Sequence, residues 1–162
     1  MHISQMYVAT TLYDIDDPRM ADFVGQLDEI NALADASDGF VWRLQSEEGS
    51  AVDIKATDDP RFIVNLSVWR DVDALFAYVY RSGHRAVMVR RRSWFRKPQG
   101  PFQVLWWIGE GHVPTVEEGL DRLARLTRDG PSPAAFSFTN VYPPETGSPH
   151  DMKPEPHCVG WS

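Results

Sequence analysis

The sequence predicts an α+β domain: an antiparallel sheet with helices on one face, ordered βαββαβ with a further helix at the end. Three observations predict it. Of four runs rich in β-branched and aromatic residues, 5–13, 39–45, 61–70 and 101–109, the first two and the last two are separated by stretches whose apolar residues recur at spacings of three and four, and the middle two by the polar loop SEEGSAVDIKATDDP. The 162 residues, 43% hydrophobic and 24% charged, suit one core and hardly two. A lone cysteine, Cys158, excludes an internal disulfide, so that core must hold by packing alone.

Each element has a local reason. QMYVATTLY is the first strand. In DIDDPRM, Asp16 or Asp17 can cap a helix with Pro18 at its first position, where a missing N–H costs nothing. Met20, Phe23, Val24, Leu27, Ile30 and Leu33 then make one stripe, ending near Gly39. GFVWRLQ is the second strand. RFIVNLSVWR is the third, with Phe62, Val64, Leu66 and Val68 on one side and Ile63, Asn65, Ser67 and Trp69 on the other. Asp71 caps a helix striped by Val72, Leu75, Phe76, Val79 and Tyr80, broken at Ser82 and Gly83 before a further helix over 84–97. PFQVLWWIG is the fourth strand, and Thr115 with Glu118 forms a capping box for the last helix, closed by Gly130 and Pro131. Residues 1–142 make the domain, and 143–162 make a proline-rich tail expected to be extended.

Charge excludes several functions. The net charge of −7 disfavours duplex DNA and anionic membranes as partners. There is no apolar run of the roughly 20 residues a spanning helix needs, and the N-terminal residues lack the order of a secretory signal, so a soluble cytoplasmic protein is expected. The charge is also uneven: residues 81–97 carry 7 basic and no acidic side chains, whereas residues 1–80 carry 5 and 15. Arg85, Arg90, Arg92 and Arg96 read as a solvated helical face, and with no aromatics interleaved on that face a nucleic-acid surface is not expected.

Helices on one sheet face leave the other needing cover. Tyr7, Thr11, Arg43, Ile63, Asn65, Ser67, Trp69, Gln103 and Trp107 are candidates for that second face, too apolar for water and too polar for an ordinary core. A homodimer packed sheet to sheet would bury it and enclose a small-molecule cavity, or the aromatics would simply fill the dimer core. Tyr7, Trp42, Asn65, Trp69, Trp94 and Trp107 are the expected substrate-binding residues. At 100° per residue, His84, Val87, Met88, Arg91, Trp94 and Phe95 share one helical sector. Arg91 would then pair with a substrate carboxylate or enolate and His84 would act as acid or base, or Arg91 would instead satisfy a buried Asp or Glu. His112, in GEGHVPT, could serve a site at a strand end or bond loop backbone. His150, His157 and Cys158 have no spacing that suits a metal. Dinucleotide, Walker, zincin and hydrolase-elbow motifs are absent from the sequence.

The runs DDPRMADFVGQLDEINALADASDGFVWRLQ, DDPRFIVNLSVWRDVDALFAYVYRSGHRAVMVRRRSWF and LWWIGEGHVPTVEEGLDRLARLTRDGPSPAAFSF resemble the domain of unknown function DUF3291, over about residues 5–140. That resemblance implies a ferredoxin-like fold of the dimeric α+β barrel superfamily, which includes antibiotic-biosynthesis monooxygenases, aldoxime dehydratases and chlorite dismutases. It brings no reaction with it. The expected function is a cofactor-free monooxygenase or isomerase of specialised metabolism, acting on an aromatic or enolisable substrate with His84 as base and Arg91 and Asn65 holding the enolate. The alternatives are a binding module that uses the same cavity without turnover, and a haem protein with His84 as axial ligand, which the superfamily resemblance admits.

Overall fold

The computed structural model describes residues 1–45, 58–82 and 89–144. Strands β1 (His2–Thr10), β2 (Phe40–Arg43), β3 (Phe62–Trp69) and β4 (Gln103–Ile108) form one antiparallel sheet in the order β2-β3-β1-β4. Helices α1 (Ala21–Ala36), α2 (Val72–Arg81) and α3 (Val116–Asp129) complete an α+β fold. Among the described residues no helix is long and apolar enough to cross a membrane.

The caps lie where the sequence puts them. The Asp17 carboxylate accepts from the Arg19 N–H at 2.8 Å, and Pro18 opens a 3-10 turn that runs into α1. The Asp71 carboxylate takes the Ala74 N–H at 2.8 Å at the head of α2. The Thr115 hydroxyl accepts from the Glu118 N–H at 3.1 Å, and Gly130, at a φ of 77°, closes α3.

The covering of the sheet departs from expectation. Cross-strand pairs Ile3–Trp69, Gln5–Ser67, Tyr7–Asn65 and Ala9–Ile63 set one face. That face is not bare: α2 and the segment around Phe136 and Phe138 cover its Trp69 end, and Phe23 of α1 with Trp94 and Phe95 covers its Ile63 end. Trp69 is 0% exposed and stacks on Tyr78 of α2 with ring centroids 4.9 Å apart. It therefore offers no surface to a second chain. The opposite face, with Met6, Val64, Leu66, Val68, Val104 and Trp106, packs under α3. Helices thus lie on both faces. Strand alternation determines which residues share a face, but the side on which each helix lands is decided by the path of the connections, and α3 crosses to the far side.

The helix expected over 84–97 is also corrected. Residues 83–88, His84 among them, lie outside the described residues. Arg91–Ser93 is a 3-10 turn, and Phe95 then bridges to Thr11 as extended chain. The edge of β1 captures this segment before another helical turn can form: Leu12 N–H donates to Trp94 O at 2.7 Å and Arg96 N–H to Thr10 O at 2.8 Å. At the C-terminal end, Val141 is buried and the Tyr142 carbonyl accepts from Trp107 Nε1 at 2.7 Å.

Candidate functional site

A polar strip crosses the middle of the sheet face that α1 and α2 cover. It separates the apolar cluster around Trp69 and Leu75 from the one around Ile63, Phe23 and Trp94. Gln5 on β1 anchors it, with Nε2 donating to Asn65 Oδ1 at 2.7 Å and to Ser67 Oγ at 3.0 Å. Gln5 Oε1 accepts from Gln103 Nε2 at 3.2 Å, and Ser67 Oγ accepts from Trp69 Nε1 at 2.9 Å. Three neighbouring strands thus present side chains that orient one another, and Gln5 spends both donors inside the network. The strip is also open. Asn65 is exposed at the centre of β3, while Ile63 and Ser67, its neighbours on the same face, are 9% and 6% exposed. Tyr7 and Gln103 are half-buried beside it. Among the described residues the Asn65 Nδ2 donors and the Gln103 Oε1 acceptor have no hydrogen-bond partner.

At the Ile63 end of the strip stands Arg91, 4% exposed, with its guanidinium carbon 5.4 Å from the centre of the Phe102 ring. It also reaches the Tyr7 hydroxyl. Burial pushes the Tyr7 pKa up, and the charge of Arg91 and its hydrogen bond only partly oppose that. The phenol therefore stays protonated near neutrality and remains a donor.

The structure brings Tyr7, Asn65, Trp69 and Trp107 onto one face, and Trp94 into the aromatic cluster at its end. Trp42 does not join them. A register irregularity between Phe40 and Trp42 turns Trp42 to the α3 face, beside Val68. Arg43 is held by Asp35 at 2.8 Å, and the Thr11 hydroxyl donates to Tyr13 O at 2.6 Å. His84 lies outside the described residues. His112 is at the surface with Nε2 2.8 Å from Glu118 Oε2, and His2 opens β1 on the α3 face, so neither supplies an axial ligand to the strip. Among the described residues no group of three His, Cys, Asp or Glu side chains could hold a metal ion. Gln5, the hub of the strip, was missed by sequence reasoning; its only signal was a glutamine two positions before Tyr7 in the first strand.

A second concavity, about 300 Å³, lies at the edge of β1 where residues 96–102 leave and rejoin it. Two bonds frame the excursion: Arg96 N–H to Thr10 O and Val8 N–H to Phe102 O, both 2.8 Å. Tyr7, Val8, Thr10 and Phe62 line one side, so the concavity adjoins the strip at Tyr7, and Arg96, Lys97, Pro98, Gln99, Pro101 and Phe102 line the other. Elsewhere Arg19, Arg43, Arg61, Arg70, Arg90, Arg125 and Arg128 each sit against an aspartate.

Fold and site together define the class: an α+β protein whose four-stranded antiparallel sheet carries an open polar strip between two aromatic clusters. The chain belongs to the family described as domain of unknown function DUF3291, whose model matches residues 2–152. No curated protein and no solved structure matches the chain.

Proposed function

We propose that this protein binds a small organic molecule over the polar strip, with a carbonyl or enol oxygen on Asn65 Nδ2 and a hydroxyl or N–H on Gln103 Oε1. The exposure of Asn65 carries this reading. A side chain at the centre of an inner strand, on a face that helices cover, is ordinarily buried and apolar; an amide exposed there, held in place by its neighbours, offers oriented polar groups between apolar walls. The Tyr7–Arg91 pair favours a second, catalytic reading of the same site. A protonated phenol beside a fixed cation is a donor pair suited to a developing enolate oxygen, which supports acid/base chemistry on an aromatic or enolisable substrate.

The strand order, with α1 after β1 and α2 after β3, supports a ferredoxin-like arrangement and the superfamily that the sequence resembles. With Trp69 inside the chain, a homodimer would use the α3 face, where Trp42, Leu44 and Phe62 are half-buried.

The test is a thermal-shift screen of β-diketones, catechols and 2-hydroxy acids against the wild type, Asn65→Leu and Gln103→Leu, with hits followed for turnover. A hit that stabilises the wild type but neither variant is expected. A hit that stabilises all three equally would place the ligand elsewhere. Turnover that is lost in Tyr7→Phe, with binding kept, would establish the catalytic reading.

A further inference from the structure

From the 96–102 excursion we infer a second site, bordering the polar strip at Tyr7, that takes a small organic anion: a carboxylate or phosphate group on an apolar body. Three observations converge. The concavity, about 300 Å³, stands at the lower end of the size range of ligand pockets. Phe62 and Val8 on one side and Pro98, Pro101 and Phe102 on the other supply apolar walls on which a ring or short alkyl chain loses water. The third observation is charge. Arg96 and Lys97 line this concavity and make no ion pair among the described residues, in a chain of net charge −7 whose other described arginines are mostly held by aspartates.

Two adjacent cations beside an apolar concavity match an anionic head on an apolar body. The backbone adds a donor. In an antiparallel ladder one residue turns its N–H and C=O to the same edge, so Thr10, whose carbonyl receives Arg96 N–H, also points its own N–H into the excursion. Pro98, Gly100 and Pro101 bring little side-chain bulk to the excursion, and Gln99 adds an amide to its lining. A neutral ligand would use the walls but leave both cations idle.

Calorimetric titration with benzoate, phenyl phosphate and benzamide tests the inference. The expected result is that benzoate or phenyl phosphate binds, that benzamide binds at least about tenfold more weakly, and that the R96Q/K97Q double variant loses about tenfold in affinity for the anion. Tighter benzoate assigns a carboxylate; tighter phenyl phosphate, strengthening as its second proton is lost, assigns a phosphate ester. Both positions are exposed, so the variant should keep the wild-type melting temperature; Lys97→Glu gives an independent check by repelling the anion. Equal affinity for benzamide, undiminished binding by the double variant, or no binding of either anion at millimolar concentration would overturn the inference. Loss of anion binding in Asn65→Leu would also overturn it, by placing the anion on the strip. Unchanged binding in that variant keeps this site independent of the reading proposed above.

Discussion

Glu118 shows how much one side chain can organise. Its backbone N–H is capped by Thr115, one carboxylate oxygen accepts from Trp106 Nε1 at 2.9 Å, and the other lies 2.8 Å from His112 Nε2. Burial pushes its pKa up, but the hydrogen bonds from His112 and Trp106 outweigh that and leave it below the ordinary value of 4.5. Because the folded pKa is the lower one, the stabilisation is present above the ordinary value and disappears as pH falls through the folded value. Glu118→Ala should cost about 1–3 kcal/mol at neutral pH, since it strips the partner from a buried indole N–H. The gap between wild type and variant should narrow in acid without closing, since the protonated carboxyl still accepts from Trp106, and denaturant melts at several pH values check both statements. At this scale the capping box was legible because it is local, whereas the helical sector that singled out Arg91 gives way to a 3-10 turn at Arg91–Ser93. Trp42 was not legible, since a register irregularity in β2 leaves no mark in composition.

Among the elements, α3 lies close against the sheet at Gly119. A Cβ on Gly119 would meet the Met6 side chain, with Sδ at 2.7 Å. Gly119→Ala should therefore destabilise the fold by about 1–3 kcal/mol even though alanine favours helix, and the penalty should shrink in a Met6→Ala background. Chemical denaturation of the two single variants and the double variant measures that coupling. Helix periodicity and caps sufficed to locate α1, α2 and α3, because stripes and caps are written in neighbouring residues. β1 begins at His2, earlier than its composition suggests, because pairing with both β3 and β4 draws in residues of weak strand preference. The same long-range capture made extended chain of Phe95. Neither it nor the landing side of α3 has a local signal.

For the molecule as a whole, the packing of Val141 and Tyr142 sets where the domain can be cut. Truncation after Pro144 should leave the melting temperature within about 1 °C, on the reasoning that a proline-rich sequence with few periodic apolar residues builds no packed element. Truncation before Phe136 should abolish cooperative unfolding, because Phe136 is 0% exposed and its N–H and C=O both pair with Leu105, at 2.9 and 2.7 Å. Calorimetry of the two shortened chains decides it. Sedimentation tests the homodimer: if copies pair through the α3 face, Phe62→Asp should yield monomers, whereas Trp69→Asp should unfold the chain itself by burying an unpaired carboxylate.

The polar strip also divides the molecule's cooperativity. On its face of the sheet, the aromatic cluster of Phe23, Trp94 and Phe95 is cut off from the larger one around Trp69 by a row of amides that add little apolar burial. The smaller cluster therefore has few partners to lose when it loosens, and it should open as a unit of its own while the rest of the sheet stays shut. Native-state hydrogen exchange would register this as two tiers. The amides of Leu12 and Arg96, which tie the segment to the end of β1, should exchange through a sub-global opening of low denaturant dependence. Those of Met6 and Leu66, over the α3 face, should wait for global unfolding. A ligand on the strip would touch both tiers at once, so its binding should raise the lower tier toward the upper.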